Sequence, residues 1–246
     1  MPVFFLSPEC IAPPMISVTG DLLVHLRDSL RMTVGEIVLF SDGASHRYRA
    51  EITDLSKRAI TGRILETIQE PPRRTPRLIL GQSLLKGEKM DWVIQKAVEL
   101  GADELVPVES RHSIVQLRAD RVEAQLGRWQ RIALEAAQQS EQWRLPTIAP
   151  PQSLAALLTS RAAGTVTLML AERLEGKSLR TVELPQDVTG SVLMLIGPEG
   201  GWSKEEALIA KQAGCEPITL GPQILRAETA AIATISILQS RLGKLG

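Results

Sequence analysis

The chain has 246 residues, 28 Lys+Arg against 28 Asp+Glu, 44% hydrophobic and 23% charged residues. That length fits one large or two modest domains with a sizeable core, and the balanced charge excludes a self-repelling disordered chain or a strongly basic nucleic-acid coat. Cys10 and Cys215 are too few and too far apart for a disulfide scaffold and fit reduced thiols in the cytoplasm.

The first residues lack the basic start and long apolar run of a signal peptide, and no stretch approaches the ~20 apolar residues of a membrane helix. Short β-branched or alternating runs predict strands over 3–6, 35–40, 47–52 and 59–68, with a turn at Ser41-Asp42-Gly43 and one helix over 21–30. This pattern reads as a small β-barrel or sandwich. Three prolines within 70–76 then stop both helix and central strand, so residues 71–76 read as a stiff linker.

Beyond it strand and helix alternate. A strand over 78–80 precedes Met90, Val93, Ile94, Ala97 and Val98, which share one helical face that Gly101 terminates. A strand over 104–108 follows. Trp129, Ile132, Ala133, Ala136 and Ala137 repeat the helical spacing. Continuous apolar runs over 165–170 and 192–196, and a shorter one over 217–220, predict strands covered on both faces of a largely parallel sheet.

Two loops stand out chemically. Ile196-Gly-Pro-Glu-Gly-Gly-Trp-Ser-Lys-Glu-Glu206 joins a buried strand to a helix, and Ser203 with Glu206 forms a capping box that starts this helix at Lys204. Its glycines let the backbone approach a ligand closely, at the strand end where open α/β sheets bind. It has neither the Gly-Lys-Ser/Thr of a phosphate cradle nor the second glycine of a nucleophile elbow. The second loop, Leu220-Gly-Pro-Gln-Ile-Leu-Arg-Ala-Glu-Thr-Ala-Ala231, places Arg226, Glu228 and Thr229 at the head of an apolar helix. Buried charges want partners, which makes Arg226 the leading site candidate. Lys86 lies at a third strand-to-helix junction. Lys96 and Glu99 read as an exposed i,i+3 ion pair. Trp143 is a candidate base-stacking ring. His25, His46 and His112 have no partners at metal-ligand spacing, so no metal site is expected.

The two loops together resemble the RsmE-type ribosomal RNA uridine methyltransferases of the SPOUT superfamily. Gln95-Lys-Ala-Val-Glu-Leu-Gly101, Arg111 with Ser113, Arg128-Trp129 and Glu135-Ala-Ala-Gln-Gln-Ser140 support the resemblance. Phe4-Phe5, Leu30-Arg31 and Asp42-Gly43 match more loosely. The resemblance implies an α/β fold: a trefoil-knotted SPOUT methyltransferase domain over 77–246 behind an N-terminal PUA-like β-barrel RNA-binding domain over 1–70. It further implies a homodimer, S-adenosylmethionine as donor, and methylation at N3 of a uridine in 16S rRNA of the small ribosomal subunit. The donor set it implies is Gly197, Glu199, Gly200, Leu220, Gly221, Leu225, Arg226 and Thr229, held by two neighbouring strand-end loops. The chain departs from the family pattern at Val3, where Arg is usual, at Val24, where a second His is usual, and at Glu141 and Gln142, in place of Gly and Arg.

On this reading Arg226 stabilises charge developing on uracil oxygens, and Glu228 orients Arg226 or accepts the N3 proton. Arg31, Lys86, Arg111, Gln139 and Arg144 are the expected RNA contacts. Two other readings remain at the level of sequence: a SPOUT enzyme acting on tRNA or another base atom, and a non-catalytic RNA-binding, ribosome-associated module.

Overall fold

Turn chemistry and β-branched runs shape the first part of the chain. The computed structural model describes residues 3–171, 176–185 and 187–246. These divide into two units, one of 1–72 with 137–145 and one of 73–136 with 146–246. The segment Ala137–Leu145, which a linear division at the prolines assigns to the C-terminal domain, groups with the first unit.

In the first unit the described strands are β1 (Val3–Phe5), β2 (Ile11–Ala12), β3 (Met15–Val18), β4 (Ile37–Ser41), β5 (His46–Leu55) and β6 (Ile60–Gln69). They form a mixed sheet in the order β1-β4-β5-β6-β3-β2, parallel at β1–β4 and antiparallel elsewhere. The predicted helix is present but shorter: α1 (Gly20–Val24) passes into a wider turn over His25–Ser29. Leu23 and Leu26 enter the core beside Phe4, Ile16, Val38, Phe40, Ile52 and Ile60.

The predicted Ser41-Asp42-Gly43 turn is built by Asp42. Its Oδ1 accepts N–H groups from Ala44 at 2.8 Å, Ser45 at 2.9 Å and His46 at 3.0 Å, and Gly43 takes a φ of 69°. Partial burial opposes ionisation of Asp42, yet the three N–H donors and the His46 ring outweigh it and hold the carboxyl below its ordinary value. A carboxylate depressed in the folded state contributes stability above its unfolded pKa and loses it as pH falls through the folded one. Asp42→Ala should therefore cost about 1 kcal/mol near neutral pH and flatten the acid side of the stability curve. Thermal melts as a function of pH check this, and parallel acid limbs for the two proteins would refute it.

The excursion over 137–145 is fastened to the first unit by specific bonds. Arg47, largely buried, donates to the Glu141 carbonyl and lies 3.8 Å from the centre of the Trp143 ring. One face of Trp143 is thus engaged by a guanidinium. Glu141 has a φ of 52°, a region that glycine occupies without a Cβ penalty. The Gly-to-Glu departure therefore falls at a backbone position suited to glycine.

The second unit is a parallel sheet. Its described elements are β7 (Arg77–Ser83), α2 (Lys89–Glu99), β8 (Glu104–Glu109), α3 (Val122–Gln139, its last residues counted with the first unit), β9 (Thr147–Ile148), β10 (Gln152–Ser153), α4 (Leu154–Ser160), β11 (Val166–Leu170), β12 (Lys177–Ser178), β13 (Ser191–Ile196), α5 (Lys204–Gln212), β14 (Glu216–Thr219) and α6 (Ala227–Arg241). The order is β10-β8-β7-β13-β11-β14-β12, with β9 beside β8. Val192 to Ile196 of β13 are each at most 1% exposed, as a strand flanked by β7 and β11 and covered on both faces requires. The predicted face of α2 is buried in full. At its end Gly101 adopts a φ of 80°, and Gln239 of α6 donates to the carbonyls of Leu100 at 2.6 Å and Gly101 at 3.1 Å. Among the described residues no helix is long and apolar enough to cross a membrane.

Candidate active site

The capping box on α5 fixes the first loop. Ser203 Oγ accepts the Glu206 N–H at 3.1 Å, and Glu206 Oε2 accepts the Ser203 N–H at 2.8 Å. The other oxygen of Glu206 accepts the Arg111 N–H at 2.9 Å, and the His112 ring nitrogen Nδ1 lies 3.2 Å from Gly200 O and 3.1 Å from Gly201 O. Both neighbours of Nδ1 are acceptors, so this nitrogen carries the proton. The segment after β8 thereby braces the glycine loop after β13. A Cβ on Gly200 would come 3.0 Å from His112 Cβ, which explains the bare backbone there.

A cavity of about 550 Å³ opens where β11, β13 and β14 end. Met169, Leu170, Ile196, Leu220 and Leu225 give it apolar walls, and Gly197, Glu199, Gly200, Gly201 and Gly221 form its backbone rim. Trp202 also lines it, with its indole N–H buried and without a hydrogen-bond partner. The two loops are not on adjacent strands: β11 lies between β13 and β14 and contributes Met169, Leu170 and Ala171. The expectation of two neighbouring strand-end loops is corrected to three strand ends, because pairing order is a long-range property.

Six of the eight residues expected to hold the donor line this cavity: Gly197, Glu199, Gly200, Leu220, Gly221 and Leu225. Arg226 and Thr229 are not among its lining and are exposed. Arg226 sits immediately before the first helical residue of α6, whose N-terminus receives no side-chain cap. Glu228 lies within the first turn with its side chain 16% exposed, and its Oε2 is buried without a hydrogen-bond partner.

Lys89, in the first turn of α2, joins the two loops. Its ammonium is 3.0 Å from Glu199 Oε1 and 3.6 Å from Glu228 Oε2. The hydrogen bond to Glu199 raises the Lys89 pKa, against partial desolvation and the charge of Arg226. For Glu199, burial pushes the pKa up, but its own backbone N–H, Lys89 and the Lys86 N–H together bring it below the ordinary value. Lys89, Trp202 and His112 escaped the sequence reading as members of this site.

The expected RNA contacts are spread over both units, with Arg31, Gln139 and Arg144 in the first and Lys86 and Arg111 in the second. All five are exposed, and Arg144 also donates to Glu70 at 2.7 Å. Lys96 and Glu99 form the expected pair at 2.8 Å, part-buried rather than exposed. Among the described residues no group of three or more His, Cys, Asp or Glu is arranged to hold a metal ion.

Comparison with known proteins agrees with this architecture. A family model described as an RNA methyltransferase domain matches residues 72–239, and one described as an RNA methyltransferase PUA domain matches 18–65. Ribosomal RNA small subunit methyltransferase E from Synechocystis sp. is 32% identical over 94% of this chain and 76% of its own length. The crystal structure of the protein of that name from Neisseria gonorrhoeae, bound to S-adenosyl methionine, superposes with a TM-score of 0.88, 29% identity and 98% coverage of both chains. A structure from Legionella pneumophila in complex with the same cofactor gives a TM-score of 0.87, 27% identity and 97% coverage of both chains. A PUA-type first unit, a parallel-sheet second unit and a glycine-rimmed cavity at three strand ends come with these matches: the chain belongs to the RNA methyltransferase family, together with ribosomal RNA small subunit methyltransferase E.

Proposed function

We propose that this chain transfers a methyl group from S-adenosylmethionine to N3 of a uridine in 16S rRNA. It does so in the cytoplasm, as a homodimer, without a metal ion, and with the trefoil-knotted path that its family resemblance implies. The first unit grips RNA and the second carries the chemistry. The observation that carries this reading is the cavity of about 550 Å³ rimmed by Gly197, Gly200 and Gly221 at the ends of three parallel strands. Its apolar walls suit an adenosyl group, and a Cβ on Gly197 would press to 3.2 Å from the Trp202 indole nitrogen, so the rim is shaped for close backbone approach.

When bound, the donor supplies an electrophilic methyl carbon on a cationic sulfur. The chain's own residues supply the rest. Uracil N3 lies on the pairing edge, so the base must be unpaired or extruded before it can react. Arg226 and the uncapped N–H groups at the head of α6 stabilise negative charge on the uracil oxygens. Glu228 Oε2, which has no hydrogen-bond partner, takes the N3 proton.

Arg31, Lys86, Arg111, Gln139 and Arg144 hold the RNA. Replacing one of the phosphate-binding arginines by Ala should weaken RNA binding and lower the salt slope by about 0.7–0.9, while donor affinity stays unchanged. A filter-binding salt titration reads this, and an unchanged slope removes that residue from the interface. The reaction itself is tested by mass mapping of methylated nucleosides in rRNA incubated with the protein and S-adenosylmethionine. N3-methyluridine in small-subunit RNA is the expected product. Methylation confined to tRNA or to another base atom, or none at all, overturns the proposal.

A further inference from the structure

Lys89 holds two acids at different ranges. Glu199 Oε1, in the loop after β13, is at hydrogen-bond distance, 3.0 Å, whereas Glu228 Oε2, in the first turn of α6, is at 3.6 Å. The longer contact attracts the Glu228 carboxylate without occupying the lone pairs of an oxygen that has no other partner. A direct hydrogen bond there would compete with an incoming proton. At 3.6 Å that bond is not made. The charged groups that face the Lys89 ammonium are Glu199 from the donor loop and Arg226 and Glu228 from α6.

We infer that Lys89 is a positioning residue for methyl transfer, aiming Glu228 at the acceptor through the same ammonium that anchors Glu199 in the donor loop. This rests on the proposed methyl transfer with Glu228 as proton acceptor. Lys89 is 35% exposed, so its ion pairs contribute little to stability and its replacement should leave the fold intact. The consequence of losing it falls on the turnover step.

Lys89→Met, Lys89→Arg, Glu228→Gln and the double variant Lys89→Met/Glu228→Gln separate this role from a structural one. Lys89→Met should lower kcat for RNA methylation about tenfold or more, and Lys89→Arg should recover most of it. In the Glu228→Gln background, Lys89→Met should cost little further, since the group it positions has gone. In the protein without donor or RNA, carbon-13 carboxyl NMR should show Glu199 titrating higher in Lys89→Met than in the wild type. An unmoved Glu199 titration, or losses in kcat that simply multiply in the double variant, overturns this inference and leaves the methyltransferase reading standing. A wild-type protein that never methylates uridine N3 overturns that reading and, with it, the aim assigned to Lys89.

Discussion

Arg226→Ala and Glu228→Gln should each lower kcat for rRNA methylation by about 10²–10³-fold while S-adenosylmethionine still binds within about threefold of the wild-type affinity. Such losses amount to about 3–4 kcal/mol at the transition state. Neither change can produce that through folding. Arg226 is exposed ahead of α6, and Glu228→Gln preserves the shape of its side chain, forfeiting the favourable charge at a helix N-terminus, about 0.3–1 kcal/mol, and the charge of its contact with the part-exposed Lys89. The retained donor affinity follows from geometry, because neither residue is among those lining the cavity. Single-turnover methylation with calorimetric donor binding measures both quantities. If Arg226→Ala instead abolished donor binding with kcat intact, Arg226 would belong to the donor set and the charge-stabilising role would be lost.

Local signals made part of this architecture legible. The buried runs of β11 and β13, the apolar face of α2 and the Ser203–Glu206 capping box depend on neighbours within a few residues, and all appear where the sequence puts them. The β2–β3 hairpin was illegible because Pro13 and Pro14 stand between its strands and read as a stop. Trp143 was legible as an aromatic but not as the partner of Arg47, which is distant in sequence. The candidate site divides in the same way. Its glycine rim was visible as two motifs, whereas the insertion of β11 between β13 and β14 depends on strand pairing that no short motif records. Lys89 reaches Glu199 across 110 residues, and the sequence drew attention instead to Lys86, whose N–H does approach the same carboxylate. His112 could be placed in a basic stretch, but its brace on Gly200 and Gly201 spans almost as far.

S-adenosylmethionine at about 100 times its dissociation constant should stabilise the donor-binding unit by about 2.7 kcal/mol, which for a unit of this size corresponds to a rise in Tm of about 5–10 °C. The glycine rim decides whether this stabilisation belongs to the cavity. A Cβ on Gly197 would lie 3.2 Å from Trp202 Nε1 and 3.4 Å from its Cδ1, so Gly197→Val must push the indole aside or fill the space it borders. Trp202 lines the same cavity, so either outcome deforms the donor's wall. Gly197→Val should therefore reduce the donor-induced rise in Tm to less than about a third of the wild-type value, even at saturating donor for the wild type. Val is tolerated on the backbone here, since Gly197, unlike Gly201 and Gly221, has no positive φ. The melting temperature without donor should consequently fall by only a few degrees, in line with about 1 kcal/mol of local crowding. A nucleoside lacking the methionyl arm should give a smaller rise that is also lost in Gly197→Val, because the apolar walls and the glycine rim act on the same ligand. If Gly197→Val kept the full donor-induced rise, the donor would have to bind elsewhere, and the three strand ends would no longer account for the reaction.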